Sequence, residues 1–119
     1  IIDEMERDTK AGKTGTINIA LAYGGRNDIV NAVKRIVREK IDPDSINEEG
    51  FKQYLTTGNM PDVDLLVRTS GEQRISGFML YNMPYAELYF VKKHWPSFKG
   101  EDLDDCIREY QQRNRRFGK

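Results

Sequence analysis

Three observations predict an α/β fold in which a parallel sheet is flanked by helices. Apolar runs of strand length occur at Thr16–Tyr23, Val63–Arg68 and Glu87–Val91. Segments with helical spacing of apolar residues separate or follow them. The third observation is the alternation itself, because parallel strands need a crossover connection, usually a helix.

The first residues, Ile1 to Asp8, read as the end of a helix with no cap before it, as expected of a chain that opens within an element. Lys10 to Gly15 is a turn rich in Gly and Lys. In Thr16–Tyr23, Ile17, Ile19 and Leu21 alternate with smaller residues and nothing strongly polar intervenes, which predicts a strand covered on both faces. Gly24-Gly25 ends it. Ile29, Val30, Val33, Ile36 and Val37 predict a helix from about Asn27 to Lys40, with Asn27 or Asp28 as its cap. Asp42-Pro43-Asp44 stops that helix, and Ser45 or Asn47 opens a short one that runs through Leu55. Residues 57–61 form a loop, 63–68 a buried strand, and 78–83 either a strand or a short helix. A last strand spans 87–91. The closing helix, from about Gly100 to Arg116, carries Leu103, Ile107, Tyr110 and Phe117 on one stripe.

Composition narrows the function classes. Hydrophobic residues make up 38% and charged residues 32% of the 119, as in soluble globular domains. Nineteen basic residues balance nineteen acidic ones, so no global field recruits nucleic acid or anionic membrane, and anion binding must be local. A single cysteine, Cys106, excludes an intrachain disulfide and fits a reducing, cytoplasmic setting. No apolar run approaches the length of a membrane span, and no secretory leader is evident.

The richest chemistry lies in Arg68 to Ser76. Two guanidiniums, Arg68 and Arg74, flank a turn that offers three hydroxyls and the backbone N–H groups around Gly71. Such a set suits a diphosphate, since the planar fork of Arg donates two hydrogen bonds to neighbouring phosphate oxygens. The competing reading pairs Arg68 with an acid such as Glu72 and leaves Arg74 solvated. Glu87, at the start of an apolar strand, must be paired, protonated or bound to a cation. Mg2+ accepts one or two carboxylates plus substrate phosphates, so Glu87 is a candidate ligand; the alternative is a salt bridge to an arginine. Tyr23-Gly24-Gly25-Arg26 puts backbone donors at a helix N-terminus, but a tight turn that requires glycine explains it as well. All three segments are expected beyond the carboxyl ends of strands, where open sheets bind ligands. The basic tail Arg113–Lys119 is a solvated helix end, a nucleic-acid patch or an arm reaching a neighbouring subunit, and the neutral chain argues against the second. His94 precedes Trp95-Pro96 with no catalytic motif nearby and is expected either at the surface or in a packing role.

The run Arg68-Thr69-Ser70-Gly71-Glu72-Gln73-Arg74-Ile75-Ser76-Gly77-Phe78, followed by Pro84-Tyr85-Ala86-Glu87-Leu88-Tyr89-Phe90, closely resembles the cis-prenyltransferases. Asn18 to Ile29 and Arg115-Arg116-Phe117-Gly118 are similar to the same family, in the same order. The resemblance implies that residues 1–119 are the C-terminal part of one cis-prenyltransferase domain whose N-terminal half is absent. It implies that Arg68, Arg74, Ile75 and Ser76 bind isopentenyl diphosphate, and that Arg116 and Gly118 reach toward the neighbouring subunit's site. Glu87 would help coordinate Mg2+, and Gln73 stands where many bacterial members have a histidine that assists the metal. No catalytic residue is expected in this chain, because the essential aspartate belongs to the family's N-terminal half, together with the site for the allylic prenyl diphosphate.

The implied parent is a Mg2+-dependent homodimer that makes polyprenyl diphosphate, with peripheral membrane contact through its lipid product; the chain alone is expected to be inactive. The alternative is a non-catalytic partner subunit, or binding module, of a two-component enzyme. An unpaired apolar sheet edge is also expected, with dimerisation, strand exchange or heavy packing of that edge as its consequence.

Overall fold

The computed structural model describes residues 2–113. Helix α1 spans Ile2–Thr9, α2 Gly25–Arg38, α3 Glu48–Lys52 and α4 Gly100–Gln112, and strands β1 and β2 span Leu65–Arg68 and Glu87–Phe90. Single 3-10 turns lie at Pro43–Ser45 and Trp95–Ser97. The two strands pair in parallel, with Leu65 opposite Glu87 and Arg68 opposite Phe90.

Local chemistry explains most boundaries. The Asn47 side chain accepts a hydrogen bond from the Gly50 N–H at 2.7 Å and starts α3, while Asp42 caps the 3-10 turn before it. At α4, Asp102 accepts from the Lys99 N–H at 2.9 Å and from Lys93 Nζ at 2.6 Å. Lys93 first, and then that N–H, hold its carboxyl below the ordinary carboxylate range. His94 is exposed, the surface rather than the packing alternative.

Several expectations are corrected. Residues 15–20 form no strand, and no main-chain hydrogen bond joins residues 13–23 to the rest of the described chain. Ile17 is 90% exposed, and Ile19 and Leu21 are each 69% exposed, so neither face is covered. A strand exists only where a neighbour completes its ladder, and the two-stranded sheet of the described residues does not extend to this segment. Helix α2 starts at Gly25, two residues before the expected start, and neither Asn27 nor Asp28 caps it; Gly24 holds the cap position. Residues 76–82 are successive turns rather than a strand or helix, because Ser76, Gly77 and Met79 all have positive φ and break either regular pattern.

The core lies on an unexpected side of the helices. In α2 the buried line is Gly25, Asp28, Ala32 and Ile36, whereas Val30, Val33 and Val37 of the apolar stripe are exposed. In α4 the buried residue is Cys106, while Leu103 and Ile107 stay exposed. Burial pushes the Cys106 thiol up, away from the reactive thiolate. Leu55 and Leu66 complete the buried apolar set.

Three buried polar side chains connect the elements. Asp28 accepts from the Thr56 N–H at 2.9 Å and from the Tyr23 hydroxyl at 3.2 Å, and burial followed by the Asp28 carboxylate raises the Tyr23 phenol. The Asn82 side chain accepts from the Thr57 hydroxyl at 2.7 Å, and the Asn82 main-chain carbonyl accepts from the Val63 N–H at 2.8 Å. The radius of gyration, 17.0 Å, exceeds the roughly 13.5 Å of a compact domain of this length. Among the described residues no helix is long and apolar enough to cross a membrane.

Candidate functional site

The site grows from the end of β1. After Arg68 the chain turns through Ser70 and Gly71, both at φ 74°, a region where glycine is at ease and serine is not. Their N–H groups donate back to the chain beyond β2: Ser70 to the Lys93 carbonyl at 2.7 Å and Gly71 to the Val91 carbonyl at 2.8 Å. These donors are therefore spent on fixing the loop. The backbone contribution expected around Gly71 gives way to a cradle of side chains.

Arg68 is the centre of that cradle. Its Nη1 donates to the Arg74 carbonyl and to Ser76 Oγ, the latter at 2.9 Å, closing the loop on itself. The expected alternative of an Arg68–Glu72 pair does not form; Glu72 pairs with Arg74 instead. That guanidinium is exposed, as are Gln73 and Ser76. The structure thus brings Arg68, Arg74 and Ser76 together around one open loop, with Ile75 between them.

Two clefts meet at this loop. One, of about 640 Å³, is lined by Gly24, Gly25, Arg26 and Asn27 on one side and Ile75, Ser76, Gly77 and Leu80 on the other. The Gly25 N–H donates to the Gly77 carbonyl at 2.8 Å, and a Cβ on Gly25 would come within 2.5 Å of that oxygen. Glycine is therefore required at Gly25 by this close approach, whereas Gly24 is ordinary extended backbone with room for a Cβ, and no strand precedes the turn. The same contact carries the N-terminus of α2 to the cradle, so Arg26 and Asn27 join the site. Their signal in the sequence was only their position at a helix start. The second cleft, about 430 Å³, is mainly apolar and runs from Arg68 past Ile75, Phe78 and Met79 along β1.

Glu87 is not part of this arrangement. It opens β2 opposite Leu65, three residues before the Arg68–Phe90 pair, or about 10 Å along the strand. The expectation that all three segments share the carboxyl edge of the sheet therefore fails for Glu87: its strand begins with it, so the residue lies at the amino end. Its carboxylate accepts from Arg113 Nη1 at 2.8 Å, the arginine salt bridge that stood as the alternative. Arg113 also donates to the Leu88 carbonyl at 3.1 Å and to Glu109 at 2.6 Å, and lies 6.0 Å from the Tyr89 ring centre.

Among the described residues no cluster of three or more His, Cys, Asp or Glu could hold a metal by itself. A carboxylate suits Mg2+ by type, but here Arg113 takes up Glu87, and the phosphate cradle that would supply further ligands lies at the other end of the strand pair. Arg116 and Gly118 lie outside the described residues.

The whole chain has counterparts. Residues 1–118 match the family model for undecaprenyl diphosphate synthase. A tritrans,polycis-undecaprenyl-diphosphate synthase (geranylgeranyl-diphosphate specific) of Methanopyrus kandleri is 47% identical, over 99% of this chain and 45% of its own length. An isoprenyl transferase of Aquifex aeolicus is 44% identical over the full chain and 51% of its own length. The crystal structure of lavandulyl diphosphate synthase from Lavandula x intermedia, in complex with dimethylallyl diphosphate, superposes with a TM-score of 0.91 at 40% identity, over 99% of this chain and 52% of that one. The chain spans about half the length of the relatives it matches.

Proposed function

The chain belongs to the undecaprenyl diphosphate synthase family of cis-prenyltransferases, and on that premise we propose that it carries the isopentenyl diphosphate site of a Mg2+-dependent enzyme that extends an allylic prenyl diphosphate. The observation that carries this reading is the polarity of the cradle. Arg68, Arg74 and Ser76 present cationic and hydroxyl donors at one place, and a mainly apolar cleft opens beside them. A diphosphate head on a short branched hydrocarbon has the same division. Arg74 has to exchange Glu72 for phosphate, a substitution that a doubly charged, multidentate anion favours.

In the reaction so assigned, the bond between the allylic carbon and its diphosphate breaks, and the isopentenyl double bond attacks that carbon. A proton then leaves the isopentenyl unit and a new double bond forms. Arg68, Arg74 and Ser76 act by holding the isopentenyl diphosphate head, which fixes where the nucleophilic double bond lies. Mg2+, when bound, neutralises diphosphate charge. Glu87, which the resemblance assigns to it, is taken up by Arg113, and Gln73 is exposed next to Arg74.

The allylic site and the essential aspartate are assigned to a region that the relatives have and this chain does not span. The chain alone therefore binds isopentenyl diphosphate without turnover. Association with a second copy through this half, and peripheral membrane contact through the polyprenyl product, belong to the same proposal.

Calorimetric titration with isopentenyl diphosphate tests it. The wild-type chain is expected to bind, and Arg74→Ala to weaken binding by about tenfold or more, the value of a charge-assisted hydrogen bond. Absence of binding to the folded wild-type chain, or equal binding by the variant, would overturn the assignment.

A further inference from the structure

The two clefts at the cradle share Ile75 and otherwise have different walls. The cleft along β1 is mainly apolar up to Arg68. The cleft at the start of α2 contains Arg26, which alone is charged among the described residues that line it. Ser76 belongs both to the cradle and to the α2 cleft: its Oγ accepts from Arg68 Nη1 at 2.9 Å, and it lines the cleft together with Arg26. The order across the site is thus apolar cleft, cradle, Arg26. We propose that Arg26 binds the terminal phosphate of the diphosphate, and so sets the preference for a diphosphate over a monophosphate head. The inference rests on the reading of the cradle as an isopentenyl diphosphate site.

Three observations support it. Arg26 is exposed and makes no ion pair among the described residues. Asp28, two positions on, is buried and accepts from the Thr56 N–H and the Tyr23 hydroxyl, while Glu72 of the cradle loop pairs with Arg74. The place of Arg26 is also fixed by main chain. The Gly25 N–H donates to the Gly77 carbonyl at 2.8 Å, and Arg26 and Ser76 are the residues that adjoin this pair. Lastly, the cradle is short of cationic donors. Arg68 Nη1 is committed to Ser76 and the Arg74 carbonyl, and Arg74 must leave Glu72 before it holds an anion. A diphosphate is charged on both phosphates, and a guanidinium fork matches a pair of phosphate oxygens. With the hydrocarbon in the apolar cleft and the first phosphate on Arg68, Arg74 and Ser76, the second falls toward Arg26.

The choice of head group separates this role from a general attraction between charges. An isopentenyl monophosphate keeps the apolar cleft and the cradle but has nothing to offer Arg26, whereas a diffuse field acts on both ligands. The experiment is calorimetric titration of wild type, Arg26→Ala, Arg26→Lys and Arg74→Ala with isopentenyl diphosphate, the monophosphate being read by its displacement of the diphosphate. Alanine suits an exposed position in the first turn of α2, and circular dichroism checks that the variants fold.

Arg26→Ala is expected to weaken diphosphate binding by about tenfold or more and monophosphate binding by less than about twofold. Arg26→Lys should fall between for the diphosphate, because an ammonium keeps the charge and loses the fork. If Arg74→Ala weakens the diphosphate but Arg26→Ala leaves it unchanged, or weakens both ligands alike, Arg26 does not hold the terminal phosphate and the proposal falls alone. If the folded wild-type chain does not bind the diphosphate, or Arg74→Ala binds it equally well, the isopentenyl diphosphate reading fails and takes this inference with it.

Discussion

The cradle region, residues 63–82 with the start of α2, and the segment 13–23 are both rich in apolar side chains but have opposite fates. In the first, nearly every turn is closed by a partner from the same chain: Gly25 on Gly77, Arg68 on Ser76, Asn82 on Thr57. In the second, Ile17, Ile19 and Leu21 face solvent and the main chain has no hydrogen-bonded neighbour within the described residues. The difference teaches that the Arg68–Ser76 cradle, the proposed diphosphate site, is closed by contacts of its own chain. The apolar segment and the exposed stripes of α2 and α4 are surfaces that need a partner. Exposed apolar patches of this kind mark association in soluble proteins, and the relatives' additional length is the natural place to look for the missing cover.

The comparison can be broken most forcefully at Asn82. This side chain is fully buried and bonded to Thr57, so Asn82→Ala leaves a buried hydroxyl without its acceptor and opens a small void. A loss of about 2–3 kcal/mol is expected in denaturant unfolding, and a change below about 0.5 kcal/mol would show that the cradle region is not the stable part. Gly25→Ala comes next. Its Cβ would press on the Gly77 carbonyl, at a cost of about 1–3 kcal/mol. It should also weaken isopentenyl diphosphate binding, since α2 and the Ser76 turn must separate. Unchanged affinity in a destabilised variant would disconnect α2 from the site.

A smaller effect belongs to Asp102. Its folded carboxyl lies below its unfolded value because of Lys93 and the Lys99 N–H. The stabilisation is present above the unfolded value near 4 and is lost as pH falls through the folded one. Wild type should lose this part of its stability only below about pH 4, and Asp102→Asn should flatten that limb of the pH–stability curve; parallel curves would remove the lysine contact from the account. The smallest effect is expected at the other region. Ile19→Ser should change the stability of this chain by less than about 0.5 kcal/mol, because the side chain leaves water for nothing here. A loss of more than about 1 kcal/mol would mean that the segment is covered, by a second copy for instance, and a concentration series in analytical ultracentrifugation would reveal which.

Much of this was legible in the residues. The short helices and both observed strands follow from caps, proline and apolar runs, as at Asn47 for α3 and Val63–Arg68 for β1. Arg68, Arg74 and Ser76 were evident as a set because hydroxyls and guanidiniums crowd into nine residues. Other features were hidden for a common reason. Asp28, Thr57 and Asn82 look like ordinary loop and helix polar residues, and only contacts across 25 or more positions show them as the buried polar connection. The exposed valines of α2 misled in the opposite direction, since periodicity reports that a face is apolar and not what lies against it.

By itself the sequence determined the caps of the short helices, the two apolar runs that pair as strands, the family and the clustering of Arg68, Arg74 and Ser76, because caps, turns and clustered donors act over a few neighbouring positions. Only the tertiary structure decided that the Ser70 and Gly71 N–H groups are consumed by the loop, that Glu87 sits at the far end of the strand pair under Arg113, and that the most strand-like run remains unpaired. Those outcomes depend on which distant backbone and side-chain groups come within hydrogen-bonding reach, and no spacing along the chain encodes that.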